Sequence, residues 1–319
     1  MSFNYPDQKN FKGLVQLNLK LKAGEILALV GKSGSGKSTL MKCIFGLVDL
    51  NEGEIYFESE RVLGPAYNLI PGHHHMNLVS QEFYVLENHT VEENIWDKLI
   101  GYTNEAKLKR SNTLLKLLEL EKLRSTRTKN LSSGQKQRVA IARSLAIIPK
   151  LLLLDEPFNN LDRLLSAKLF SFLQTEVKKN QTAVILITHL PEEALKFGNQ
   201  IAIMHEGQIK QIGEKWQVFY HPKNVRLAGL LGEYNTIKSE DFHSKSNYKK
   251  ARKTLCRPNQ FKHVEKSAGF DLEVQVISCM FNGKCFEILA QTKNGHHIVV
   301  FDTSAKITNS HLYYQLMLY

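Results

Sequence analysis

The sequence has few cysteines and no long hydrophobic run. Its 319 residues include four cysteines, which show neither paired C-x-x-C spacing nor the accompanying histidines of a zinc site. No apolar stretch approaches the roughly 18 residues that a membrane span requires. These absences argue against a disulfide scaffold, a cysteine zinc site and a transmembrane chain. With no signal peptide at its start, the chain is expected to be cytosolic with reduced thiols.

Acidic residues are outnumbered by basic ones. The 42 lysines and arginines against 31 acidic residues give a formal net charge of +11 at pH 7. Such a balance suits either nucleic acid or an anionic membrane surface with its cytoplasmic loops. The basic residues are scattered and do not interleave with aromatic residues, as they do in single-strand binders. We therefore favour a well-solvated basic surface and expect no direct contact with nucleic acid.

A glycine-rich segment lies between a strand-like run at 25–30 and a helical run at 40–45. It matches G-x-x-x-x-G-K-S and consists of Gly31, Lys32, Ser33, Gly34, Ser35, Gly36, Lys37, Ser38 and Thr39. Strand, glycine-rich turn and helix together predict a phosphate site, because backbone N–H groups can curl around phosphate oxygens at a helix N-terminus. Lys37 would reach the β- and γ-phosphates, and the Ser38 hydroxyl would bind Mg²⁺.

Two carboxylates and a histidine follow other predicted strands. The apolar run 151–154 leads into Asp155 and Glu156, and the run 183–188 leads to His189. Such runs are typical of parallel strands covered on both faces, and open parallel sheets bind ligands outside the carboxyl ends of their strands. Beside a phosphate loop, Asp155 would bind Mg²⁺ directly or through water. Glu156 would accept a proton from the attacking water.

A second helix start could also hold an anion. Ser132 is a good N-cap, and Gly134 leaves the first turn of the following helix bare. Upstream, Thr90 opens a segment that resembles a capping box, and residues 111–123 carry leucines at helical spacing. This section reads as a helical subdomain inserted in an α/β core. The three histidines at 73–75 lie in an irregular loop where adjacent side chains rarely converge on one ion, so we expect no metal there.

The start of the chain predicts an edge of the sheet. Residues 15–21 alternate apolar and polar side chains, as in a half-buried strand, and residues 1–6 look like the end of a shorter one. Tyr5 and Phe11 could each offer a flat face to an adenine ring, and Tyr5 is the favoured candidate.

The tail has a different composition. Residues 239–253 are polar and without periodicity, as in a linker. Three strand-like runs follow, joined by two Asn-Gly turns, at 272–277, 284–289 and 297–301. A chain of this length exceeds one usual domain, so we predict a nucleotide domain over 1–232 and a small antiparallel β domain, with its linker, over 233–319.

Taken together, the motifs resemble the ATP-binding cassette (ABC) ATPase family over nearly all of residues 1–230. The set, in the family's order and approximate spacing, is the phosphate loop, Gln81, the signature-like stretch 131–135, Asp155-Glu156, Asn160-Leu161-Asp162 and His189. The ordered set is specific, although each short motif alone is not. Two features depart from the family pattern: glycine usually stands at the position of Ser133, and the first strand is clipped at its N-terminus.

The resemblance implies an α/β fold, a P-loop NTPase cassette with a mixed sheet and an inserted helical subdomain, plus the C-terminal antiparallel β domain. It further implies that two copies pair head to tail, with ATP clamped between the phosphate loop of one copy and Ser132 and Gly134 of the other. Gln135 belongs to the same nucleotide-binding stretch. Gln81 would sense Mg²⁺ and link to a transmembrane subunit. Asp162 would join the two sites, and His189 would hold the γ-phosphate.

The β tail is similar to the regulatory domain of ATPases that serve binding-protein-dependent importers. The resemblance thus implies integral-membrane permease subunits, a substrate-binding protein, and a peripheral homodimer at the cytoplasmic face of the cell membrane. The stretch 157–162 is nearest to the ferric-iron and similar small-ion branch. The competing hypothesis is a soluble ABC ATPase that acts on nucleic acid or ribosomes. Such proteins generally carry two cassettes in one chain, a long coiled coil or zinc cysteines, and this sequence has none of these.

Overall fold

The computed structural model describes residues 1–3, 13–80, 83–244, 246, 248, 252–303 and 311–317. The chain divides into two units, Met1–Lys215 and Trp216–Tyr319. The structure groups residues 216–232 with the second unit. The sequence-based domain boundary between 232 and 233 stays a prediction. Within the described residues, no helix combines the length and apolar character needed to cross a membrane.

A mixed sheet forms the centre of the first unit. The strands of this unit are β1 (Ile26–Val30), β2 (Tyr56–Phe57), β3 (Glu60–Arg61), β4 (Met76–Val79), β5 (Leu151–Asp155), β6 (Ala183–Ile187), β7 (Gln200–His205) and β8 (Gln208–Glu214). The six-stranded sheet has the order β4-β5-β6-β1-β7-β8, in which only β8 runs antiparallel to its neighbour. Strands β2 and β3 form a separate small hairpin. The mixed sheet of the predicted fold class is thus confirmed.

Both faces of the sheet are covered, which explains the continuous apolar runs. In β5, Leu152 and Leu154 pack into one core cluster while Leu151 and Leu153 pack into the other. This alternation is the period of two that a strand imposes on its side chains. Because the central strands are buried on both sides, their polar groups can reach solvent only at the strand ends.

Helices connect the strands of the first unit. They are α1 (Lys37–Phe45), α2 (Val91–Trp96), α3 (Asn104–Leu117), α4 (Ser133–Ala146), α5 (Arg163–Asn180) and α6 (Pro191–Phe197). Two hydrogen bonds close the first turn of the inserted subdomain. The Thr90 hydroxyl oxygen accepts from Glu93 N (3.2 Å), and the Glu93 carboxylate accepts from Thr90 N (2.7 Å). This is the predicted capping box.

Two element predictions were wrong in detail. No strand forms over 15–21, because Gln16 adopts a left-handed conformation (φ 46°). Just before it, Leu14 pairs with Phe3 in an isolated bridge. The helix predicted over 111–123 instead begins at Asn104 and ends at Leu117, since Glu119 (φ 54°) turns the chain out of helical geometry.

The second unit is mainly β structure. Its elements are α7 (Lys215–Tyr220), α8 (Val225–Ala228), β9 (Asn235–Lys238), β10 (Lys253–Cys256), β11 (Phe261–Val264), β12 (Leu272–Phe281), β13 (Phe286–Thr292), β14 (His297–Asp302) and β15 (His311–Leu316). Strands β9 and β10 form an antiparallel pair, and the other five form a sheet of order β11-β15-β12-β13-β14. Both Asn-Gly turns lie where predicted, with Gly283 at φ 89° and Gly295 at φ 85°. The antiparallel character of the tail is confirmed.

Part of the segment read as a linker belongs to the core of the second unit. Phe242 is fully buried there, and Asp241 is 2% exposed. The Asp241 carboxylate accepts hydrogen bonds from Thr292 Oγ1 (2.7 Å) and Asn294 Nδ2 (3.0 Å), and it lies 2.8 Å from His296 Nδ1. The described residues of 239–253 therefore lie inside one unit and do not connect two.

Candidate nucleotide site

The glycine-rich loop turns β1 into α1 with little space to spare. Gly36 caps α1 in a left-handed conformation (φ 98°, ψ 8°), which a side chain would strain. At Gly31 a Cβ atom would lie 2.4 Å from the main-chain oxygen of Met204 and 2.7 Å from Ser35 Oγ. Glycine is therefore required at both positions. The loop leads directly into the N-terminus of α1, which is the kind of helix start that binds phosphate.

Lys37 lies at the start of α1 and folds back over the loop. Its ammonium donates hydrogen bonds to the carbonyl oxygens of Gly31 (2.9 Å) and Lys32 (3.0 Å), and its side chain is buried. Burial lowers the pKa of Lys37, while the negative charges of Glu156 and Asp155 raise it. The ammonium thus lies close to both predicted carboxylates and can redirect its hydrogen bonds to a bound phosphate.

Asp155 ends the buried strand β5 and meets the phosphate loop. Its carboxyl is 5% exposed and accepts a hydrogen bond from the Ser38 hydroxyl. Burial raises the pKa of Asp155, and the hydrogen bond from Ser38 and the charge of Lys37 act in the opposite direction. The two predicted Mg²⁺ ligands are therefore in direct contact. Both offer oxygen atoms, which are the donors that Mg²⁺ prefers.

Glu156 and His189 face each other at the ends of neighbouring strands. Glu156 Oε1 lies 3.4 Å from His189 Nδ1, and Glu156 Oε2 accepts from Asn159 Nδ2 at 2.6 Å. Glu156 has a positive φ of 51°, an uncommon conformation for a non-glycine residue. Its N–H donates to the carbonyl oxygen of Ile187 (3.1 Å), which ties it to β6. The carboxylate is held at the open edge of the sheet, where a general base could reach a water molecule.

The second predicted anion site is the exposed start of α4. Ser132 Oγ accepts from Gln135 N (3.3 Å), and Ser132 N donates to Gln135 Oε1 (2.9 Å), which completes a capping box. A Cβ on Gly134 would meet nothing closer than 3.6 Å, so this turn is open. Asp162 caps α5 by accepting from Leu164 N and Leu165 N, and the hydrogen bond from Leu165 is the main cause of its lowered pKa.

The structure brings some predicted residues together and leaves others apart. One group contains a bonded pair, Ser38 with Asp155, and a second pair, Glu156 with His189. Lys37 belongs to the same group through its charge interactions with both carboxylates. Between residues that the structure describes, no hydrogen bond joins Ser132, Gly134 or Asp162 to this group. Tyr5, Phe11 and Gln81 lie outside the described residues. Across the described ranges, no cluster of three or more His, Cys, Asp or Glu side chains is arranged to hold a metal ion.

Sequence reasoning did not single out two residues that support the site. Gln137 of α4 is fully buried and bonds to the loop after Glu156. The Glu193 carboxylate accepts from the Thr188 hydroxyl beside His189, and burial raises the pKa of Glu193. For Gln137 the sequence held a signal of burial, though not of its role, because this polar residue lies on the same helix face as the buried Ile141 and Leu145.

Comparison with known proteins agrees with this geometry. The family model described as ABC transporter matches residues 14–159. A sulfate/thiosulfate import ATP-binding protein, CysA, of Mesostigma viride is 34% identical over 259 residues, which is 79% of this chain and 73% of that protein. A spermidine/putrescine import ATP-binding protein, PotA, of Borrelia garinii subsp. bavariensis is 33% identical over 317 residues, covering 93% of this chain and 89% of that protein.

A solved structure supports the same assignment. The dimeric post-hydrolysis state of an ATP-binding cassette bound to ADP and Pi is 29% identical, with a TM-score of 0.60, and the match covers 67% of this chain and 96% of that one. Fold, motif order and relatives all agree. The chain therefore belongs to the ABC transporter family, as an ATP-binding subunit that hydrolyses ATP.

Proposed function

We propose that this ATPase powers solute uptake as one of two copies that pair head to tail on membrane-embedded permease subunits. The relatives named as import ATP-binding proteins and the dimeric state of the similar cassette support this proposal. The chain would lie peripherally at the cytoplasmic face of the membrane, and a substrate-binding protein would deliver the solute. The two import proteins compared above are named for an anion and for polyamines. The solute is therefore selected by the other subunits and not by this ATPase.

The observation that carries the proposed chemistry is the group of charged residues at one edge of the sheet. The N–H groups of residues 31–39 would bind the phosphates of ATP, and Lys37 would compensate their charge. Glu156 would accept the proton of the attacking water, since its carboxylate is fixed between His189 and Asn159. His189 would donate a hydrogen bond to the γ-phosphate.

The residues present also fit a magnesium ion. Ser38 and Asp155 would hold it, because their oxygen atoms already touch, with Gln81 as a further ligand outside the described residues. When bound, Mg²⁺ would neutralise part of the phosphate charge.

The partner copy would complete the site. The exposed start of α4, with Ser132, Gly134 and Gln135, would present its N–H groups to the γ-phosphate bound by the other chain. Asp162 would contact the partner near the same place. Tyr5 would stack on the adenine ring.

The Glu156→Gln substitution tests the catalytic assignment. An amide cannot accept the proton, so ATP binding should persist while turnover falls about 10²- to 10⁴-fold. Glu192→Gln is the matched control, because Glu192 is an exposed carboxylate on α6. ATP turnover and nucleotide affinity would be measured for both variants. Near wild-type turnover in Glu156→Gln would remove Glu156 from this role.

Purification of the tagged chain from its own cells tests the transport assignment. Integral-membrane subunits should co-purify with it. Recovery of ribosomes or nucleic acid instead of membrane subunits would favour the soluble ABC ATPase hypothesis and overturn the importer proposal.

A further inference from the structure

Helix α4 carries a fully buried amide next to the loop that follows Glu156. Gln137 has 0% exposure. Burying an amide costs free energy of folding unless its donor and its acceptor both make hydrogen bonds. Its Nε2 donates to the carbonyl oxygen of Pro157 at 2.9 Å. Its Oε1 accepts from Asn160 Nδ2, also at 2.9 Å. Both hydrogen bonds therefore lead to the same short loop, one to its main chain and one to a side chain.

This loop holds residues assigned to the chemistry. Pro157 follows Glu156 directly, and Asn159 Nδ2 donates to the Glu156 carboxylate. Phe158 is 4% exposed and packs into the same core cluster as α4, so the loop has little freedom to move independently of that helix. The first turn of α4 also lies beside the loop, because a Cβ on Gly134 would be 3.6 Å from the main-chain oxygen of Asn160.

We propose that Gln137 is a positioning residue that couples the start of α4 to Glu156 within one chain. The inference rests on the proposed head-to-tail pairing, in which α4 contacts the ATP of the partner while Glu156 serves the ATP of its own chain. When α4 contacts the partner's nucleotide, Gln137 holds Pro157 and Asn160 in the position that orients Glu156 toward its own nucleotide. Each chain thereby links the two nucleotide sites of the pair.

The Gln137→Met variant tests this link, because methionine keeps the length of the side chain and makes neither hydrogen bond. We expect kcat to fall at least about tenfold, because Glu156 is no longer held in place, while the affinity of the full-length chain for ATP stays within about twofold of wild type. A protein in which Gln137 acts only on stability would not show this split between turnover and binding.

Asn77→Leu provides the matched control. Asn77 Nδ2 donates to the carbonyl oxygens of Ser144 (2.6 Å), in the last turn of α4, and Ile147 (3.2 Å), which follows the helix. This variant therefore also removes two hydrogen bonds, but at the other end of α4. Its kcat should stay near wild type. An equal loss of kcat in both variants would overturn the proposal. If Gln137→Met fails to fold, the exposed residue Asn160 allows the same test as Asn160→Ala, with α4 itself unchanged.

Mixed pairs separate coupling from local support. A chain with Glu156→Gln, present in large excess, forms pairs whose only active site uses Glu156 of the other chain. Placing Gln137→Met in that other chain should reduce turnover, since its own Glu156 loses support. Placing it in the Glu156→Gln chain should also reduce turnover. The loop of that chain then no longer holds α4 through Gln137, and this α4 contacts the active nucleotide. Loss in the first arrangement alone would mean that Gln137 only supports its own loop.

The failure of this inference is distinguishable from the failure of the proposed function. Turnover by Glu156→Gln at the wild-type rate would overturn the proposed chemistry itself. An inactive Glu156→Gln together with wild-type turnover in both Gln137→Met arrangements would overturn only the coupling through Gln137.

Discussion

At the scale of single residues, Lys37 shows how burial and charge determine a role. Its side chain is 8% exposed, and among the described residues its ammonium bonds to the main-chain oxygens of Gly31 and Lys32 and to Ser35 Oγ. Lys37→Ala should weaken ATP binding about 10- to 100-fold, the value of one or two hydrogen bonds to a charged group. Lys42→Ala, on the exposed face of α1, is the control. Calorimetry that finds equal affinities for the two variants would contradict the assignment.

Asp241 offers a second test at residue scale, through pH. Burial alone raises the pKa of its carboxyl, but hydrogen bonds from Thr292, His296 and Asn294 outweigh burial and hold the pKa below its usual range. A lowered pKa in the folded state stabilises the protein above the unfolded pKa of about 3.9, and this stabilisation is lost as pH falls through the folded value. Asp241→Asn should therefore lower the thermal midpoint at pH 7, and the deficit should shrink below about pH 4.

The control for this pH test is Glu240→Gln, a neighbouring exposed carboxylate in a surface ion pair with Lys238. Surface pairs contribute little, so its melting temperature should stay close to wild type at both pH values. A deficit in Asp241→Asn that is the same at pH 7 and pH 3 would show that the charge of Asp241 has no part in it.

Residue types and spacing predicted the charged residues of the site, but not Gln137, which holds the loop that follows Glu156. Phosphate binding needs glycines, a lysine and a hydroxyl at fixed positions in one short segment, so Lys37 and Ser38 were readable locally. The role of Gln137 was not, since its two partners lie 20 and 23 residues away along the chain. Only packing of α4 against the loop brings them together.

At the scale of elements, signals within a few residues predicted helix starts correctly, whereas the pairing of strands that are distant in sequence could not be predicted. The helix start at Thr90 was readable because a capping box lies within four residues. Strand β11 was missed because its partner is β15, with Phe261 opposite Leu316, more than fifty residues later. The strand predicted over 15–21 does not form, because alternation of apolar and polar residues does not by itself provide a neighbouring strand to pair with.

The two caps of the helical subdomain give a prediction at this scale. Thr90 belongs to a reciprocal capping box on α2, whereas Thr103 on α3 accepts only from Ala106 N at 3.3 Å. Thr90→Ala should cost about 1 kcal/mol of unfolding free energy, and Thr103→Ala should cost less. Urea denaturation of both variants measures the difference. ATP affinity should be unchanged in each, because neither cap touches the phosphate loop.

At the scale of the whole molecule, all described residues assigned to chemistry lie in the first unit, before residue 190. Within the second unit, buried Arg257 donates to the carbonyl oxygens of Phe219, Ala228, Gly232 and Glu233, and it lies over the Phe219 ring. Segment 216–233 is thereby bonded into the second unit. The chain should therefore divide more cleanly after Lys215 than after Gly232.

Two truncated chains test this division. A chain ending at Lys215 and one ending at Gly232 should both bind ATP with the affinity of the full chain, because each retains the phosphate loop and β5. The longer chain should be less soluble, since it keeps residues 216–232 without the Arg257 that satisfies their carbonyl groups. Nucleotide titration and the soluble fraction after expression measure the two expectations. Loss of ATP binding in both chains would mean that the cassette does not fold without its β unit, and equal solubility would show that Arg257 does not determine where the chain divides.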